Sequence, residues 1–223
     1  MTKELKIPAY LRDLYPYYFS KRAIRFLSMR WYAVLTTFGF FDRLADTVAA
    51  LISPSDSVML SGVVAGGFEE RLLAVLGEKG RFAVADVSEE RLDACRERLF
   101  AYAKPQYVPH DVTEPFETKY DKIVCWFLLN EMPDELKKKT VDAVLASLKP
   151  DGTAIFVDYH APKKNNVAAW IVKPVNRLFR PFAEGLWRHS LHSFAASPTL
   201  YSWNKKVFCL GLYQLVEVKA KVK

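Results

Sequence analysis

The chain has 223 residues, 51% hydrophobic and 26% charged, so disorder and low complexity are excluded and a sizeable core is affordable. No apolar run approaches the about 20 residues that span a bilayer, and residues 31–41, the longest candidate, fall short. The net charge of +7 and pI near 9.2 suit nucleic acid, anionic lipid or an anionic ligand as partner, and equally a solubilising surface.

Three isolated cysteines, Cys95, Cys125 and Cys209, argue for a reducing compartment and against a structural zinc site. Charged and aromatic residues interrupt the N-terminal segment, unlike a signal peptide. The expectation is a cytoplasmic protein, with a membrane surface as a peripheral partner.

Residues 1–55 form an aromatic-rich leader, a predicted helical cap, in which Arg12, Lys21, Arg22, Arg25 and Arg30 are interleaved with Tyr17, Tyr18, Phe26, Trp31 and others. Apolar spacing from Lys21 to Leu51 is helical and predicts two helices broken near Gly39. Such a leader suits a core helix pair, a membrane-surface segment or a cover over an apolar substrate. Nucleic-acid stacking ranks lower, because no RNA-binding motif is present. Ser53 to Asp56 reads as a turn, and the main domain is taken as 56–223.

From Val58 the elements alternate. A strand ends near Leu60, a glycine loop covers Ser61 to Gly67, and a helix covers Glu69 to Leu76. A strand over Phe82 to Ala85 ends on Asp86, and Ser88 is placed to cap a helix reaching Phe100. Gln106 to Pro109 is a short strand leading to His110 and Asp111. Lys122 to Phe127 is apolar without alternation, as in a strand buried on both faces. Asp134 opens a helix to about Leu148, Lys149 to Gly152 reads as a turn, and Thr153 to Val157 as a strand. Residues 161–198 carry apolar and basic helical patterns and read as a lid insertion. Strands over Lys205 to Cys209 and Tyr213 to Val218, with Gly211 between them, predict an antiparallel hairpin. The sum is an α/β fold: a doubly wound, mostly parallel seven-stranded sheet with an N-terminal helical cap.

In such a sheet, ligands bind beyond the carboxyl ends of the strands. Ser61, Gly62, Gly66, Gly67, Asp86, His110, Asp111, Asn130, Glu131, Asp158 and His160 all fall there. Strand, glycine loop, helix, strand and terminal acid form a nucleotide-binding βαβ unit, although the glycines do not follow G-x-G-x-x-G. The glycines admit close backbone approach, and Asp86 offers acceptors to a ribose diol. Asp111 could accept from an adenine amine or sit in an Asx-turn. Glu131 could act as an acid or base, or favour the start of the next helix. His160 is a candidate base or metal ligand, and Asp158 beside it a candidate ligand. His189 and His192 share a helical face but lack a carboxylate at ligand spacing. Hydrolysis is disfavoured, since no G-x-S-x-G or Ser-His-Asp pattern is visible.

Residues 56–160 resemble the class I S-adenosylmethionine-dependent methyltransferases. The likeness lies in the worn glycine motif at 58–67, Ala85-Asp86-Val87-Ser88, His110-Asp111-Val112, Tyr120 to Val124 and Leu148-Lys149-Pro150-Asp151-Gly152. A narrower resemblance is to the rhodoquinone-biosynthesis methyltransferase-like family. It rests on Phe127 to Pro133, Asp158 to Pro162, Pro181 to His189, Gly211 to Gln214 and Tyr10 to Asp13. The chain departs from that family at Asn130, where histidine is expected, and at Gly67, where an acid is expected. The resemblance implies replacement of a ubiquinone ring methoxy by an amino group, with S-adenosylmethionine as nitrogen source and a divalent metal such as manganese. It also implies a lipophilic quinone substrate. An ordinary methyltransferase on a quinone or other lipophilic small molecule is the alternative, and a binding protein with a decayed cofactor site is a further one. Under these readings Asp86 holds ribose, Ser61, Gly62, Gly66 and Gly67 border the methionine part, and Asp111 faces adenine. Asp111, Glu131 and His160 are the catalytic candidates, and Asp158 and His160 the metal candidates.

Overall fold

The computed structural model describes residues 5, 7–64, 66–102, 105–163 and 165–221. Ala65 of the glycine loop and Lys164 of the insertion lie outside the described residues. Seven strands form a sheet of order β3-β2-β1-β4-β5-β7-β6, where β1 is Ser57–Ser61, β2 Arg81–Asp86, β3 Gln106–Pro109, β4 Tyr120–Trp126, β5 Leu148–Tyr159, β6 Tyr201–Phe208 and β7 Tyr213–Ala220. The expected doubly wound, mostly parallel α/β fold with a terminal antiparallel hairpin is the observed one. The chain forms two compact units, Met1–Val112 and Thr113–Lys223.

In the first unit, β1, β2 and β3 pair in parallel, with Ser61 opposite Ala85 and Asp86 opposite Pro109. The central strands are buried along their length because both faces are covered, which explains their unbroken apolar runs. Helix α5 (Phe68–Val75) follows the glycine loop, and α6 (Glu89–Arg98) starts at Ser88, whose Oγ accepts the Arg91 N–H as predicted.

The leader is more broken than its spacing suggested. It contains α1 (Ala9–Leu14), α2 (Lys21–Leu27), α3 (Arg30–Thr36) and α4 (Phe41–Ala49). The break near Gly39 is present, with Phe38 and Gly39 both at positive φ. A second break falls at Ser28, whose hydroxyl donates to Ile24 O at 2.7 Å before the chain extends at Met29. Helix α4 buries Phe41, Leu44, Ala45 and Val48 on one face, each large apolar side chain stabilising the unit by about 1.5–3 kcal/mol. The turn at Ser53 to Asp56 is closed by Ser53 N–H to Asp56 Oδ2 at 2.7 Å.

In the second unit, β4 and β5 pair in parallel, and β5–β7 and β6–β7 antiparallel. Tyr120 lies opposite Leu148 but Lys122 opposite Thr153, so Lys149–Gly152 bulges out within β5. The expected free turn at these residues is thus absorbed into the strand. Helix α7 (Asp134–Ala146) precedes β5. The insertion contains α8 (Val167–Phe179) and α9 (Ala183–Arg188), anchored by buried Ala169, Val172, Ala183 and Leu186. The fully buried Lys137 ammonium ties α7 to this segment through Phe182 O at 2.7 Å and Asp134 at 2.5 Å. The β6–β7 turn holds Cys209, Leu210 and Gly211 in succession at positive φ. No helix among the described residues is long and apolar enough to cross a membrane.

Gly66 has φ +80°, and a Cβ there would meet Ala33 Cβ at 2.6 Å and the Phe41 ring at 2.9 Å. Gly66→Ala is expected to destabilise the protein by about 2–4 kcal/mol, through strain and overpacking together. Urea unfolding of wild type and variant measures this.

Candidate functional site

Two groups of polar residues sit at the carboxyl ends of the strands, one in each unit. In the first, the Asp86 carboxylate closes β2 and is almost wholly buried. Oδ2 accepts the Val63 N–H at 2.9 Å and faces Arg91 Nη1 at 3.3 Å, and Oδ1 accepts the Ser88 N–H at 2.9 Å. Asp86 therefore fastens the loop after β1 to the start of α6. A carboxylate has about four acceptor positions, so Oδ1 keeps capacity for a further donor.

The glycine loop is held by charged side chains that the sequence reading did not single out. Glu69, fully buried on α5, accepts the Val64 N–H at 2.8 Å. Arg98 of α6 donates to Val64 O at 3.1 Å and pairs with Glu69 at 2.7 Å and Glu70 at 3.1 Å. Arg91 donates to Val63 O and lies 4.4 Å from the centre of the Tyr18 ring. Burial pushes the Glu69 carboxyl up, against the opposing pull of the Arg98 guanidinium. Burial also pushes the neighbouring Cys95 thiol up, which makes it a packing group rather than a nucleophile. The available signal was the spacing of Arg91 and Arg98, seven residues apart and so on one face of α6.

Gly62, Gly66 and Gly67 all have positive φ. Gly66 N–H donates to Ser28 O at 3.1 Å, so its close approach is to the leader. Ser61 Oγ is buried and has no hydrogen-bond partner among the described residues. A buried hydroxyl left this way costs free energy unless a ligand completes it. His110 and Asp111 follow β3 and are half-buried, with His110 N–H bonded to Asp86 O at 3.0 Å.

In the second unit, Asp158, the last residue but one of β5, plays the part that Asp86 plays at the end of β2. Its Oδ2 accepts the N–H groups of Leu129 and Asn130 at 2.9 and 3.2 Å, and Oδ1 accepts that of Tyr159 at 2.8 Å. It thereby caps a 3-10 turn, Leu129–Glu131, that follows β4. The predicted metal pair is differently engaged. Asp158 faces backbone donors, while His160 Nδ1 bonds Gly211 O at 2.9 Å and Nε2 lies 3.2 Å from Lys205 Nζ. A carbonyl only accepts, so Nδ1 carries the proton and Nε2 accepts from the lysine. The lone pair a base or metal ligand needs is occupied. Among the described residues, no group of three or more His, Cys, Asp or Glu side chains could hold a metal ion.

Asn130 is fully buried, donating to Phe127 O at 2.6 Å and accepting from Arg180 at 3.1 Å. Phe127 has φ 48°, strained for a bulky residue, and its ring meets those of Trp126, Tyr159 and Tyr213 at 5.5–5.7 Å. Burial pushes the Tyr159 phenol up, keeping it a neutral donor. Glu131 is also buried, and its charge acts on Tyr159 in the same upward direction. The segments 127–133, 158–162 and 211–214 are thus bonded into one cluster, which Arg180, next to the segment 181–189, joins through Asn130.

The methyltransferase-domain family matches residues 59–152. No curated protein matches the chain. The structure is similar to human N-acetylserotonin methyltransferase in complex with SAM, at 13% identity and TM-score 0.67, covering 97% of this chain and 61% of that one. It is similar to the mitomycin 7-O-methyltransferase MmcR at 17% identity and TM-score 0.64, covering 82% and 55%. It is also similar to the N-methyltransferase NodS from Bradyrhizobium japonicum WM9 in complex with S-adenosyl-l-homocysteine, at 13% identity and TM-score 0.62, covering 96% and 100%. The chain spans less than two thirds of the first two. The methyltransferase-domain match covers less than half of the chain, and the fold that contains it is the class I methyltransferase fold.

Arg98→Met should destabilise the protein by about 3 kcal/mol, because it leaves the Glu69 carboxyl buried without its cation. Adding Glu69→Gln should recover much of that loss in a double-mutant cycle read by urea unfolding.

Burial raises the Asp158 carboxyl from 3.8 to about 6. The fold then holds this proton more tightly than the unfolded chain. Its stabilising contribution is complete below about pH 4 and lost as pH rises through about 6. The change amounts to about 3 kcal/mol. Asp158→Asn should remove this slope from the difference between unfolding curves taken across that range.

Proposed function

We propose that the chain is an S-adenosylmethionine-dependent methyltransferase acting on a lipophilic aromatic small molecule, quinones among them. One observation carries the cofactor half. Ser61 Oγ is buried without a hydrogen-bond partner among the described residues, and it lies beside the end of β2, where Asp86 keeps acceptor capacity. These residues fit a ligand with both hydroxyl donors and polar acceptors. Asp86 would hold the ribose, Ser61, Gly62, Gly66 and Gly67 would border the methionine part, and Asp111 would face the adenine amine. When bound, S-adenosylmethionine supplies a methyl carbon on a cationic sulfur.

The aromatic cluster supports the acceptor class. Phe127, Tyr159 and Tyr213 pack into a largely buried aromatic cluster that carries phenols as polar groups, the chemistry an aromatic acceptor would meet. Glu131 is the acid–base candidate of this unit, because both ring nitrogens of His160 are engaged.

Calorimetry should show S-adenosylmethionine binding. Ser61→Ala removes a group with no partner in the described fold, so melting should be unchanged or slightly higher while cofactor affinity falls by about 3–10-fold. Asp86→Ala should weaken binding further. Mass spectrometry of a hydroxylated quinol analogue should show a methyl gain. No cofactor binding, with both variants like wild type, would leave the binding-protein reading. A manganese-dependent gain of an amino group on a ubiquinone analogue would replace methyl transfer with the amino transfer that the narrower resemblance implies.

A further inference from the structure

The outward face of α8 is apolar, although among the described residues nothing in its own unit covers it. Val167, Trp170, Ile171, Val175, Leu178 and Phe179 are all exposed, Trp170 by 77% and Leu178 by 74%. At helical spacing they lie on one broad side, opposite the anchoring Ala169, Val172 and Asn176. Lys173 and Arg177, both exposed, run along the border of that stripe. Residues 161–183 contain five Lys or Arg and no Asp or Glu. Asn166 starts the helix by capping Ala168 N–H at 3.0 Å and also holds Cys209 O at 2.7 Å. That bond sets the β6–β7 turn beside the start of α8, and Leu210 in the turn is 57% exposed.

A fixed inner face, an apolar outer face and a basic border are the features of a helix lying in the plane of a bilayer. We propose that α8, with the Leu210 turn, docks this protein onto an anionic phospholipid surface. The charge pattern selects this occupant over a second copy of the chain. A two-fold contact through α8 would bring the basic border against itself, with no acid in the segment to offset it. Anionic headgroups meet Lys173 and Arg177 while the apolar side chains enter the acyl boundary. The exposed leader residues Trp31 and Leu35 offer a rival surface, but Arg30 beside them is paired with Asp42 at 2.9 Å. The docking face stands apart from the cofactor reading, so either can hold where the other fails.

The full chain should sediment with vesicles of phosphatidylcholine and phosphatidylglycerol, not with phosphatidylcholine alone, and should be released by salt. Trp170→Glu with Leu178→Glu should lower vesicle affinity by at least about tenfold without changing the melting temperature, since both side chains are exposed. Lys173→Glu with Arg177→Glu, which leaves the apolar side chains in place, should also lower it and remove the preference for phosphatidylglycerol. The proposal is overturned if the chain binds neither vesicle, or if binding survives the α8 variants and is lost in Leu35→Glu. It is likewise overturned if light scattering shows a dimer that the Trp170→Glu, Leu178→Glu variant dissociates.

Discussion

A carboxylate at the end of a buried strand must find donors, and the nearest ones are the free N–H groups of the loop after the adjacent strand. The protein uses this constraint twice. Asp86 on β2 takes the N–H of Val63 after β1, and Asp158 on β5 takes the N–H groups of Leu129 and Asn130 after β4. In each case a parallel neighbour supplies the loop, so the acid fixes the path of the chain where a ligand would be met. In each unit, the path of the loop beside the acid depends on that side chain.

The irregular glycine loop follows from the same economy of polar groups. Its carbonyls and amides at Val63 and Val64 are satisfied by Arg91, Arg98, Glu69 and Asp86, and Gly66 is bonded to Ser28. A loop whose Val63, Val64 and Gly66 amides are engaged by its own unit does not need the glycine spacing of one whose amides wait for a pyrophosphate. Among the described residues, the Ser61 hydroxyl at the start of the loop is left without a hydrogen-bond partner.

Most of the fold could be read from the sequence because its elements follow local rules. The glycine loop, the Ser88 cap, β3 and the Gly211 turn were each marked by residues whose conformational preferences act within a few positions. The second leader break at Ser28 was hidden, since a serine hydroxyl bonding back to Ile24 leaves the apolar spacing unchanged. The site acids were visible as positions, not as interactions. Asp158 looks like a ligand from its place near a strand end, but two of its three donors lie 28 and 29 residues away, and only the strand pairing brings them there. His160 likewise showed its chemistry in the sequence, while the Gly211 carbonyl and Lys205 that engage it come from a hairpin 45–51 residues further on.

The bulge in β5 has a consequence for how this fold can vary. Between the pairs Tyr120–Leu148 and Lys122–Thr153, one strand advances two residues and the other five. An odd surplus of three lets the register be set afresh after the bulge, so which face Thr153 and its successors present is not dictated by where α7 stops. The segment Lys149–Gly152 acts as a length buffer. Insertions or deletions at the end of α7 can be taken up there, while Asp158 stays at the strand terminus where its donors are.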